Sequence, residues 1–100
     1  MQTPKALRMA EMTTYYGYEV TVVPCRVRLE EGSLTVFYMG TETQEYAYIG
    51  GEKGQGHYDL RCSEDGGRAS LHAFPGSTFY EGFWTVNGDS GMWRVELDDE

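Results

Sequence analysis

The sequence predicts an all-β domain: a single antiparallel meander of about seven strands that closes into a small barrel, with a two-sheet sandwich as the alternative architecture. Three observations carry this prediction. Tyr (eight), Phe (four) and Trp (two) are abundant while Pro is scarce at three, a balance that suits pleated, half-buried strands. Turn-forming pairs rich in the thirteen glycines recur every ten to sixteen residues or so, the rhythm of hairpins. No long 3.6-residue apolar period competes with them.

Taken in chain order, residues 1–17 read as an N-terminal arm or short helix. Thr3 is a candidate N-cap, Pro4 suits the first helical position, and Leu7, Met9 and Ala10 form a short apolar stripe. The barrel is expected over 18–97, with strands near 18–30, 33–39, 44–49, 57–63, 68–74, 78–86 and 91–97, followed by an acidic tail at 98–100. The turns between them fall at Glu31-Gly32, 40–43, the Gly-rich 50–56 loop, Asp65-Gly66, Pro75-Gly76 and Asn87-Gly88. Asp-Gly and Asn-Gly are strong hairpin signals, because a type I′ turn requires positive φ at both central residues.

Closing each short turn as a two-residue loop yields a register in which apolar positions of neighbouring strands share one face. Leu29 then lies opposite Leu34, Val27 opposite Val36 and Cys25 opposite Tyr38. A four-residue loop over 40–43 carries that face on to Ala47 and Ile49. Leu60 meets Leu71, Cys62 meets Ala69, and Leu71 in turn meets Tyr80. Across the last hairpin Tyr80 faces Val95, Gly82 faces Trp93 and Trp84 faces Gly91, so each Trp can cover a glycine. Gly82→Val is therefore expected to destabilise severely, its side chain meeting Trp93. The apolar parity of the first strand changes between Val22 and Val23, beside Pro24, which predicts a bulge or corner. Such a bend would let the N-terminal half of that strand pair with the seventh and close the sheet.

The G-x-W repeated across the last hairpin, Gly82-Phe83-Trp84 and Gly91-Met92-Trp93, resembles the strand pattern of calycin-type meanders, the lipocalin and avidin group. The resemblance covers about twenty residues and implies the barrel topology. In those families the motif lies on the first strand, whereas here it lies on the last two, so no ligand residues are carried over.

Eight Lys and Arg against sixteen Asp and Glu leave a net charge of -8. With its basic residues scattered, the chain lacks the clustered cations that neutralise nucleic-acid phosphates or anionic lipid. Nucleic acid and membrane are therefore poor partners, and with neither an export signal nor an 18-residue apolar run a cytoplasmic protein is expected. Cys25 and Cys62 read as two reduced, buried thiols. No cofactor is expected, and the cysteines lack the spacing of a zinc site.

Four constellations carry chemistry-bearing residue types. The predicted register places Asp59 opposite His72 with Ser70 nearby, the residue types of a hydrolytic triad. Both Ser70 and His72 are on one strand, however, and no nucleophile elbow or oxyanion hole is evident. Cross-strand pairs of Asp59 with His72 and of Glu81 with Arg94, contributing about 0.2–1 kcal/mol each, are the simpler reading. A metal at His57 with Asp59 or His72 would have an incomplete shell. The 50–56 loop has a phosphate cradle's glycine density without the following Lys-Ser/Thr and helix. Finally, the register turns Phe37, Tyr46, Tyr48, Phe74, Phe79 and Phe83 outward, with Met39 and Met92 beside them.

A one-sided sheet should not carry so many outward aromatics, so they imply a covering layer or a docking patch. The leading expectation is a non-catalytic protein-interaction module, an inhibitor or accessory subunit. Its candidate contacts are Phe37, Tyr46, Tyr48, Phe74, Phe79, Phe83, Glu81 and Glu96. Glu19, Glu42 and Glu45 help to ring the patch with acid, which suits a partner with a basic surface; a homodimer is a further reading. The alternative is a calycin-like carrier of a small apolar ligand, its pocket built from Tyr58, Tyr80, Trp84 and Trp93. Bulky inward side chains argue that a seven-strand interior would be filled. A hydrolase using His72 has the least support.

Overall fold

A computed structural model describes residues 7–40 and 43–98. They form eight strands and no α-helix: β1 (Leu7–Tyr16), β2 (Glu19–Glu30), β3 (Ser33–Met39), β4 (Glu45–Gly54), β5 (His57–Cys62), β6 (Arg68–His72), β7 (Phe79–Val86) and β8 (Asp89–Leu97). Each strand pairs antiparallel with the next, and β1 pairs with β8, so the meander closes into one barrel. Full closure removes the sheet edges that an open meander would leave exposed.

The eighth strand comes from the segment expected to be an arm or helix. Thr3 and Pro4, the helix-start signals, lie outside the described residues. From Leu7 onward the burial follows a period of two: Ala10 and Met12 are buried, whereas Leu7, Met9 and Glu11 face out. Gly17, at φ 61°, and Tyr18 form the turn into β2, with Tyr16 opposite Glu19. Closure therefore runs through β1, and not through the N-terminal half of β2 as the parity change suggested. Nor is there a bulge at Pro24, which sits opposite Glu11 in an unbroken register. The parity changes because residues 19–24 run past the end of β3, leaving Val20 and Val22 in solvent at 59% and 56% exposure.

Two hairpins keep the register expected from their turns. In β2–β3, Leu29 is opposite Leu34; in β7–β8, Gly82 is opposite Trp93 and Trp84 opposite Gly91. Asn87 and Gly88 both have positive φ, at 51° and 86°, the I′ geometry their chemistry favours. Between β5 and β7 the register moves by two residues, so Leu60 meets Ala69 and Leu71 meets Gly82. The cause in the first case is a wider loop, in which Cys62 N–H donates to Gly67 O and Gly66 N–H to Cys62 O. An even shift keeps every side chain on its face.

Between β3 and β4 the shift is odd, and its consequence is large. Met39 is opposite Glu45, leaving five residues in the connection where four were expected. One extra residue turns β4 over. Tyr46 and Tyr48 point inward and Ala47 and Ile49 outward, Tyr48 being 1% exposed and Ile49 55%. The core then runs from Ala10 and Met12 through Val27, Val36 and Tyr48 to Leu60, Leu71, Trp93 and Val95. Among the described residues, no helix is long and apolar enough to cross a membrane.

Candidate functional site

The barrel is filled at its middle and open at the end where β1, β3, β5 and β7 finish. A cavity of about 470 Å³ lies in this mouth, walled by Met12, Val23, Tyr38, Tyr48, Trp84 and Trp93. Thr14, Thr21 and Asp65 supply polar groups along the same wall. Alternation places most of them there: Met12 and Thr14 on β1, Thr21 and Val23 on β2, and Trp84 and Val86 on β7 are each separated by one outward residue. The β1 contribution widens the interior, because barrel diameter grows with strand number.

The aromatic rings of this end hold one another in place. Trp93 meets Tyr48 edge-on at 4.9 Å between centroids and Tyr38 edge-on at 5.9 Å. Tyr38 stacks on Tyr46 at 5.4 Å, and Trp84 tilts against Tyr16 at 5.8 Å. Such offset and edge contacts contribute about 0.5–1.5 kcal/mol each beyond the area they bury. The Tyr48 hydroxyl donates to the Asp65 carboxylate at 3.2 and 3.3 Å, while Asp65 Oδ1 also accepts the Gly67 N–H at 2.7 Å. A Cβ on Gly67 would lie 2.1 Å from that hydroxyl, so a bare backbone is required where the tyrosine meets its acceptor. The indole Nε1 of Trp84 is buried with no hydrogen-bond partner among the described residues. A buried donor left unpaired costs stability.

Burial pushes the phenols of Tyr38 and Tyr48 far above their usual range, and the Asp65 charge adds to the effect in both. The free thiols of Cys25 and Cys62 are buried in the same barrel, and burial pushes them up to about 12 and about 11. All four groups hold their protons in the folded state at pH values where the unfolded chain releases them. Stability from this source is complete below about pH 9 and is lost as the pH climbs toward 12, each retained proton costing about 1.4 kcal/mol per pH unit. Urea midpoints are expected to hold from pH 7 to 8.5 and fall steeply above pH 9.5. Both thiols should resist a disulfide reagent at pH 8 until the protein unfolds; rapid labelling of either in the folded protein would contradict their burial.

The sequence-derived site residues fall into three groups. Tyr46 and Tyr48, expected outside, are inside. Phe37 and Phe79 do face outward but are covered, Phe37 by the guanidinium groups of Arg26 and Arg28 at 5.5 and 5.3 Å, and Phe79 by Arg94 at 4.1 Å. Phe74 and Phe83 are exposed at 85% and 50%. Phe74, Phe79 and Glu81 share an outer groove of about 540 Å³ with His57, His72 and Met92. Its charged groups are already engaged, since Glu81 accepts from Arg94 at 2.9 Å. Of the acids expected around the patch, Glu45 pairs with Arg26, Glu19 and Glu96 are exposed, and Glu42 lies outside the described residues, as do Asp99 and Glu100 of the tail.

The interior candidates also separate. Trp84 and Trp93 line the mouth, whereas Tyr58 and Tyr80 are buried against each other at 6.2 Å and do not line it. The triad residue types do not assemble as the register suggested. Asp59 is opposite Ser70, and His72 is opposite His57, their rings edge to face at 4.5 Å. Ser70 Oγ lies 3.3 Å from His72 Nε2, but the other ring nitrogen of His72 faces His57 and not a carboxylate.

Met12, Thr14, Tyr38 and Asp65 escaped the sequence-based site. The signal for the first two was present: even positions of 10–14 alternate with odd ones, and Gly17 follows a Tyr pair as a turn. The helix-start residues Thr3 and Pro4 outweighed it. Comparison with protein-family models and with curated protein sequences finds no match.

Proposed function

We propose that the protein is a non-catalytic binding module that takes a small, planar, uncharged or cationic ligand in the mouth of its barrel. The observation that carries this reading is the cavity of about 470 Å³ whose largely apolar wall includes the rings of Tyr38, Tyr48, Trp84 and Trp93, with Thr14, Thr21 and Asp65 as polar groups. Pockets of that size and lining are the common form of small-molecule sites. The apolar wall suits a flat apolar ring lying against it, and Thr14, Thr21 and Asp65 offer polar partners in the same mouth. Asp65 in the wall and the charge of -8 disfavour an anion and favour a cation, which the ring faces also attract. An eight-stranded antiparallel meander is compatible with the calycin type that the G-x-W hairpin resembles.

The test uses N-phenyl-1-naphthylamine, an uncharged planar dye, and its anionic relative anilinonaphthalene sulfonate. The uncharged dye is expected to bind one per chain and quench the tryptophan emission. Thr21→Trp, which fills the mouth from an exposed position, should weaken it more than tenfold. The anionic dye should bind more weakly, and Asp65→Asn should narrow the difference. Unsaturable binding, or binding indifferent to Thr21→Trp, would remove the site.

A further inference from the structure

The polar groups of the mouth are set apart and differ in kind. In a closed ring of eight strands, β1 and β2 stand opposite β5 and β6, so the Thr14–Thr21 pair and the β5–β6 loop lie on opposite sides of the barrel. One side carries two hydroxyls, facing each other across β1 and β2. The other carries Asp65, half-buried and the one charged side chain among the described residues of the wall. Asp65 accepts from Gly67 N–H at 2.7 Å and from the Tyr48 hydroxyl at 3.2 and 3.3 Å, and no cation among the described residues pairs with it. These neutral donors hold the carboxylate in place without neutralising it. A carboxylate has about four lone-pair sites, so part of its accepting capacity stays open. Beyond the effect of burial, its field adds to the upward shift of the Tyr38 and Tyr48 phenols, so the charge is felt inside the cavity. Between the two polar sides the wall is apolar, with Met12, Val23, Trp84 and Val86.

Resting on the pocket reading above, we propose that the ligand is a primary arylalkylamine with a polar group at the far end of its ring. Its ammonium donates to Asp65, its ring lies along the apolar wall, and its far polar group meets Thr14 and Thr21. An ammonium brings donors and the charge that Asp65 lacks, and a hydrogen bond between ionised partners is about twice as strong as a neutral one. A neutral ligand displaces water from the carboxylate and leaves its charge uncompensated. An anion meets that carboxylate at close range within a chain of charge -8. A hard metal ion asks for several oxygen ligands, and this wall offers one carboxylate. The two polar sides also orient the ligand. A carboxylate only accepts, whereas threonine hydroxyls both donate and accept, so the amine end is told from the other.

Calorimetric titration with tyramine tests the proposal against two relatives: 4-ethylphenol, which lacks the amine, and phenethylamine, which lacks the hydroxyl. Tyramine is expected to bind one per chain, more than about tenfold tighter than 4-ethylphenol and at least about threefold tighter than phenethylamine, the effects of a charged and a neutral hydrogen bond. The preference for the amine should persist in about 0.5 M salt, because a partly buried contact pair is screened less than the attraction of the whole chain. In Asp65→Asn, whose amide oxygen can still accept from Gly67, that preference should fall below about threefold. Tyramine that fails to bind, or binds no better than 4-ethylphenol, while N-phenyl-1-naphthylamine still binds, would overturn the amine and leave the pocket standing. A preference lost in salt, or kept in Asp65→Asn, would overturn the pairing with Asp65. Phenethylamine bound as tightly as tyramine would overturn the part given to Thr14 and Thr21. Binding of neither tyramine nor the dye would remove pocket and proposal together.

Discussion

Gly82→Ala is expected to lower the unfolding free energy by more than about 3 kcal/mol, since overpacking a site that cannot relax is among the largest single-residue effects. A Cβ at Gly82 would stand 1.5 Å from the Ser70 carbonyl oxygen and 2.6 Å from its carbon. The obstacle is backbone of the neighbouring strand, which no rotamer change can move aside. The sequence pointed to this glycine through Trp93, its partner in β8; the structure places the conflict on the β6 side. Gly50 is in the same situation, with the Asp59 carbonyl 1.7 Å from its virtual Cβ. These two glycines let β6–β7 and β4–β5 press together where the sheet curls into a barrel. Gly51→Ala is the control, its nearest atom being 3.6 Å away, and should change stability by less than about 1 kcal/mol. Urea unfolding distinguishes them, and a small loss at Gly82 would refute the close approach.

Removing residues 1–17 should have a still larger effect: no cooperative unfolding transition and no near-ultraviolet circular dichroism. β1 pairs along its whole length with β2 and over Ala10–Tyr15 with β8, so its loss opens the barrel on both sides. It also takes Ala10 and Met12, each 2% exposed, out of the core. Met12→Ala isolates the packing part, with an expected cost of about 2–5 kcal/mol and the fold retained. A shortened chain that still melted cooperatively would mean that β2 and β8 can close the sheet without β1. That alternative is the closure which the parity of Val20 and Val22 suggested from the sequence, so the experiment decides between two stated topologies.

The candidate site was legible only in part, for a reason visible in particular residues. Trp84 and Trp93 could be placed inside because the Asn87-Gly88 turn between their strands leaves no freedom of register. Tyr48 could not, because a connection of uncertain length precedes it, and one residue decides which side of the sheet it occupies. Asp65 was legible as a turn residue and not as the acceptor of Tyr48, since that bond joins two hairpins. Phe37 and Phe79 were placed outside correctly, but their arginine covers depend on long side chains whose direction no strand pattern gives.

By itself the sequence determined the all-β class, the meander order from β2 to β8, and the registers of β2–β3 and β7–β8. Those features are written in local chemistry: alternation sets the face, and turns such as Asn87-Gly88, with positive φ at both positions, set a two-residue loop. Only the tertiary structure decided that residues 7–16 are a strand, that β4 presents Tyr46 and Tyr48 to the interior, and that the barrel therefore has an aromatic-lined mouth. Each of these depends on a pairing between distant segments, above all β1 with β8, where the gain comes from burial in the closed barrel and leaves little trace in the residues on either side.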